Sequence, residues 1–103
     1  STARVTTQLL DIFVDTVDDI KTLGIDDPYW GAKVVSFVRM HDGLEMPDGK
    51  SLHDACKGKM AAYEVPKEFL HWEGEWPVSP EGKIDFKVLL KKAQEILSHS
   101  PEN

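Results

Sequence analysis

The pair Gly82-Lys83 closes the loop Pro77-Val78-Ser79-Pro80-Glu81-Gly82 just ahead of a helix. Glycine at this place allows a turn that other residues resist and keeps bulk away from an approaching ligand. Lysine supplies a compact positive charge on a long, flexible stem, which suits it to carboxylate or phosphate oxygens. Gly82-Lys83 also fits an ordinary turn before a capped helix, so the pair alone does not decide between chemistry and structure. The other reactive residue types read more simply. His41, His53, His71 and His99 are scattered without the spacing of metal ligands, and no Cys/His pattern resembles a zinc site. Cys56 falls on the apolar side of a helix and is expected to be buried and inert. Glu73 and Glu75 alternate along an extended segment and are expected to face solvent. Trp30, Trp72 and Trp76 read as packing residues, with one or two covering an interdomain face.

These residues need elements to hold them. Thr6 or Thr7 is expected to cap a first helix whose apolar face is Leu9, Ile12, Phe13 and Val17. Ile20–Ile25 leans toward strand and ends at Gly24 with Asp26-Asp27-Pro28. Val34–Met40 is a stronger strand, rich in β-branched and aromatic residues, with burial on one face or both. After a loop over 41–50, Ser51 is expected to cap a helix burying Leu52, Ala55, Cys56 and Met60, with Pro66 at or beyond its end. Phe69–Trp72 follows as a third strand. Asp85 caps the last helix, whose apolar positions are Phe86, Leu89, Leu90, Ala93, Ile96 and Leu97, while Lys87, Lys91 and Lys92 lie on its polar side. Residues 98–103 read as a frayed tail. The order helix, strand, strand, helix, strand, helix predicts a small α+β domain with helices on a three-stranded sheet, spanning 1–103 as one domain.

Three segments carry a resemblance to a known family. Pro77, Ser79, Gly82, Lys83, Ile84, Asp85 and Lys87 fall in register with Pro-x-Thr-x-x-Gly-Lys-(Ile/Val)-Asp-Arg-Lys, with serine in place of threonine. Met60-Ala61-Ala62-Tyr63-Glu64-Val65-Pro66-Lys67 is similar to Leu-Ala-x-Tyr-Lys-Val-Pro-Lys, with Glu64 reversing a charge. Gly24–Val38 is similar to Gly-Val-x-Asp-x-x-Trp-Gly-Glu-x-Val-x-Ala-Phe-Val, with Ala32 in place of glutamate. All three patterns belong to the C-terminal domain of AMP-forming acyl-CoA synthetases and peptide-synthetase adenylation domains, and they occur here in the family's order. The chain resembles that domain over roughly residues 20–90.

The resemblance implies that Lys83 is catalytic, bridging the carboxylate and the α-phosphate of ATP as charge builds between them. It implies that Gly82, Ser79 and Asp85 support the loop. Tyr63, Lys67 and Trp30 fall to the border of the thiol-substrate channel or to an interdomain face, although Tyr63 taken by itself reads as core. The implied partner is a large N-terminal ATP-binding domain of the same enzyme, and the isolated chain is expected to be inactive. ATP with Mg and coenzyme A belong to the full enzyme; no cofactor or metal is expected in this chain. Acyl-CoA formation is the leading reading. The alternatives are the C-terminal part of a peptide-synthetase adenylation domain and a stand-alone, non-catalytic binding module.

Composition sets outer bounds. Twelve basic against eighteen acidic residues give the 103-residue chain a net charge of −6, which disfavours a nucleic-acid partner. No apolar run approaches the roughly 18 residues of a membrane-spanning helix, and no signal peptide is visible. One cysteine cannot form an intrachain disulfide. A reducing, cytoplasmic home is therefore expected.

Overall fold

The computed structural model describes residues 1–99, which run α1 (Thr2–Ile12), β1 (Val17–Asp27), β2 (Gly31–Met40), α2 (Gly49–Cys56), a short 3-10 turn (Ala62–Glu64), β3 (Glu68–His71) and α3 (Phe86–Ser98). The three-stranded sheet has β2 at its centre, antiparallel to β1 and parallel to β3. An antiparallel pair can be closed by a tight turn, as at 28–30. A parallel pair needs a long crossover, and 41–67 supplies it with α2 and the 3-10 turn. The expected α+β class and element order both hold.

The chain divides into two compact units at Glu73/Gly74. In the first, one sheet face carries Ile20 opposite Val38, with Val17 and Met40 beside them. These residues form a core with Val5 and Leu9 of α1, Cys56 of α2, and Val65. On the same face Thr22 and Ser36 are buried opposite each other and share a 2.7 Å hydroxyl–hydroxyl hydrogen bond, which satisfies both groups away from water. The other face holds Leu23 opposite Val35, and Phe37 opposite Leu70 of β3. The Trp72 ring meets Phe37 edge-on, with centroids 5.3 Å apart. Both faces of β2 are thus buried over residues 35–38, which explains why apolar residues there point to either side of the sheet.

Two helix starts differ from expectation. α1 begins at Thr2, capped by the Ser1 hydroxyl accepting from Arg4 N–H, and its buried face is Val5 and Leu9. Thr7 does not cap: its hydroxyl donates back to the Ala3 carbonyl, an in-helix bond open to threonine one turn on. Val17 belongs to β1. α2 is capped by Asp48, whose carboxylate accepts from Ser51 N–H at 2.8 Å; Ser51 sits inside the first turn instead of starting it. That helix ends at Cys56, and the chain turns at Gly58 with φ +76°, so Met60 joins the core from beyond the helix.

The second unit contains a tight hairpin followed by α3, which buries Leu89 and Ala93 but leaves Phe86 and Ile96 exposed at the margins of the expected stripe. The helix runs through Ser98 with His99 as its C-cap; the rest of the expected tail lies outside the described residues.

Candidate functional site

The Lys83 loop is built by short-range chemistry. Ser79-Pro80-Glu81-Gly82 closes a four-residue turn in which Gly82 N–H donates to the Ser79 carbonyl at 2.8 Å. Serine first, proline second and glycine fourth is the preferred composition of a type I turn. Gly82 then takes φ +84°, the left-handed bulge position that often follows such a turn in a hairpin, and open space surrounds its missing side chain. Ser79 N–H donates to the Lys83 carbonyl at 2.7 Å, Val78 pairs with Ile84, and Asp85 N–H donates to the Pro77 carbonyl at 2.8 Å. The backbone of Lys83 is therefore held on the returning arm of a closed hairpin, while its side chain is exposed.

Asp85 performs two tasks in this loop. Its amide closes the hairpin, and its carboxylate accepts from Lys87 N–H at 3.1 Å and Val88 N–H at 3.3 Å, capping α3. Those amides are orphan donors of the first helical turn, so one residue joins loop to helix. Ser79 contributes mainly through its backbone, since its hydroxyl lies 3.4 Å from Lys83 N–H. The structure thus brings Ser79, Gly82, Lys83 and Asp85 into one hydrogen-bonded hairpin with an exposed cation at its rim.

The remaining predicted residues lie in the first unit. Trp30 is 56% exposed, and Lys67 Nζ stands 4.2 Å from its ring centroid, within cation–π range. Lys67 is placed by its amide, which donates to the Val34 carbonyl at 2.8 Å as β3 begins beside β2. Tyr63 is 84% exposed on the 3-10 turn, so its reading as a core residue is corrected. The 3-10 turn leads directly into buried Val65 and Pro66, which leaves the tyrosine on the outer side.

Asp27 and Tyr29 were missed as parts of this surface. One carboxylate oxygen of Asp27 accepts from both Tyr29 N–H and Trp30 N–H at 2.8 Å, and the Tyr29 ring packs edge-on against Trp30 at 4.9 Å. The Trp30 amide first, then that of Tyr29, holds the Asp27 carboxyl below its ordinary value. An aspartate beside Pro28 is the local signal for such a side-chain-closed turn. No group of His, Cys, Asp or Glu among the described residues is arranged to hold a metal ion. Cys56 is buried, and desolvation pushes its thiol pKa up, with Lys59 opposing weakly.

Known proteins share both the sequence and the fold of this chain. It is 34% identical over 77 residues to the mitochondrial malonate–CoA ligase of Mus musculus, covering 75% of this chain and 13% of that protein. It is 32% identical over 71 residues to the sulfoacetate–CoA ligase of Cupriavidus necator, covering 69% of this chain and 14% of that one. Among solved structures, an acyl-CoA synthetase of Brucella canis superposes with a TM-score of 0.74 at 26% identity, covering 93% of this chain and 18% of that chain. An amide bond synthetase of Marinactinospora thermotolerans superposes at 0.75 with 25% identity, covering 88% of this chain and 18% of that chain. Over most of its length the chain is similar in sequence and fold to adenylate-forming ligases. It corresponds to the C-terminal domain of those enzymes and spans only about a seventh of the length of the curated relatives it matches. No family model matches the chain. No helix among the described residues is long and apolar enough to cross a membrane.

Proposed function

We propose that residues 1–103 are the C-terminal domain of an AMP-forming acid–CoA ligase, with Lys83 as the group that promotes adenylation. The observation carrying this reading is the closed hairpin of residues 77–85, which fixes the backbone of an exposed lysine. A carboxylate attacking the α-phosphate of ATP brings two anionic groups together, and a cation placed between them lowers that repulsion as the new bond forms. A hairpin closed by its own hydrogen bonds reaches the site with its geometry already set. The acid and ATP, with Mg, would be held by a large N-terminal domain of the same enzyme. Coenzyme A would then take the acyl group.

Trp30, Lys67 and Tyr63 are assigned to the thiol side of the reaction. An exposed aromatic ring beside a cation suits a co-substrate that carries a nucleobase and phosphates. The Glu68 carboxylate next to Lys67 in sequence pairs with Lys33 on β2, 3.1 Å from its Nζ, while Lys67 lies over the Trp30 ring. A cytoplasmic location remains our proposal; the buried, unpaired Cys56 thiol suits a reducing compartment.

The test is Lys83→Ala in the ligase carrying this chain. Acid-dependent exchange of pyrophosphate into ATP is expected to fall by about 10²–10³, the scale for losing one preorganised charge stabiliser. Thioester formation from a supplied acyl-adenylate is expected to persist. Exchange at the wild-type rate would remove Lys83 from the chemistry.

A further inference from the structure

Glu64, which reverses the charge of the family's lysine, has a specific partner in the fold. Its Oε2 lies 3.1 Å from Arg4 Nε, with the Glu64 side chain 12% exposed and that of Arg4 67% exposed. An exposed ion pair contributes little, but here one member is largely withdrawn from water, so removing the other leaves a shielded carboxylate without a counter-charge. The pair joins the first turn of α1 to the 3-10 turn, two elements remote in sequence.

The chain just beyond Glu64 has little slack. Val65 and Pro66 are buried, proline fixes its own backbone torsion, and the Lys67 amide is bonded to Val34. Tyr63 precedes Glu64 directly, and Lys67 ends over Trp30. A displacement of Glu64 therefore reaches Tyr63 on one side and Lys67 on the other. The hydrogen bonds that close the Lys83 hairpin all run between residues of the second unit.

We propose that the Arg4–Glu64 ion pair positions the Tyr63–Lys67 segment and, through Lys67, the Lys67–Trp30 stack. On the function proposed above, on which this step rests, the pair governs capture of the thiol co-substrate and leaves adenylation alone. Arg4 and Glu64 are positioning residues; neither needs to touch a substrate.

The experiment compares Arg4→Ala, Glu64→Gln and the exchanged pair Arg4→Glu with Glu64→Arg in the ligase carrying this chain. For Arg4→Ala, the KM for coenzyme A is expected to rise about three- to tenfold, as for a broken contact in a coupled pair. Pyrophosphate exchange should stay within about twofold of wild type, and the exchanged pair should recover most of the KM. Equal losses in both half-reactions without recovery would indicate general destabilisation and overturn the proposal, as would an unchanged KM. NMR of the 103-residue chain gives an independent readout. The Lys67 ε-methylene protons are expected upfield in the wild type because they lie over Trp30; Arg4→Ala should reduce that shift and the exchanged pair restore it. If Lys83→Ala still adenylates, the function reading fails by itself. An unchanged Lys67 shift in Arg4→Ala then overturns the positioning proposal separately.

Discussion

At the scale of single residues, carboxylates at turns do much of the local organisation. Asp85 spends its amide on the hairpin and its carboxylate on α3, whereas Asp27 gathers the two amides that set Tyr29 and Trp30. The second case has a pH signature. Backbone donors favour the ionised carboxylate, so Asp27 titrates below its ordinary 3.8 in the folded chain. For a lowered folded-state pKa, the stabilisation is complete above the unfolded value and is lost as pH falls through the folded one. The aromatic turn is expected to be intact at neutral pH and to loosen only below about 3.8. The Trp30 amide shift, followed by NMR during acid titration, should show that low midpoint, and Asp27→Asn should abolish it. A midpoint at or above the ordinary value would contradict the assignment.

Elements show where pattern reading succeeds and where it slips. α3 and its Asp85 cap were legible, because a capping side chain and the amides it satisfies are close in sequence. Asp85→Ala is expected to cost about 1 kcal/mol of stability and Asp85→Asn markedly less, measured by urea unfolding of the 103-residue chain. Equal losses in both variants would mean that the charge matters more than the cap. The starts of α1 and α2 were less legible. Ser1 and Asp48 each compete with a later hydroxyl residue, and local sequence permits either choice. Packing settles it: starting at Thr2 puts Val5 and Leu9 together against the sheet. The strong apolar character of β2 was read correctly, since a central strand buried on both faces needs no alternation.

For the whole molecule, the lysine proposed to promote adenylation is present, whereas the ATP-holding domain proposed above is not part of these 103 residues. The chain spans 13–14% of the length of its two reported curated relatives. The 103-residue chain alone is expected to form neither acyl-adenylate nor thioester from an acid, ATP and coenzyme A. The ligase carrying it should form both, with radiolabelled acid and chromatography as the assay. Adenylate formation by the isolated chain would overturn the division of labour proposed here.

The amino-acid sequence by itself determined the Lys83 turn, the Asp85 cap, the order of elements and the family resemblance. Each rests on residues near one another along the chain, where torsional preference and hydrogen-bond reach act locally. Tertiary structure decided which turns became surfaces and which charges met. Tyr63 faces outward because the buried Val65 and Pro66 face inward. Lys67 reaches Trp30 because β3 starts beside β2, and Glu64 meets Arg4 because the 3-10 turn comes beside α1. No local pattern encodes those meetings, because they depend on how remote segments pack around a shared core.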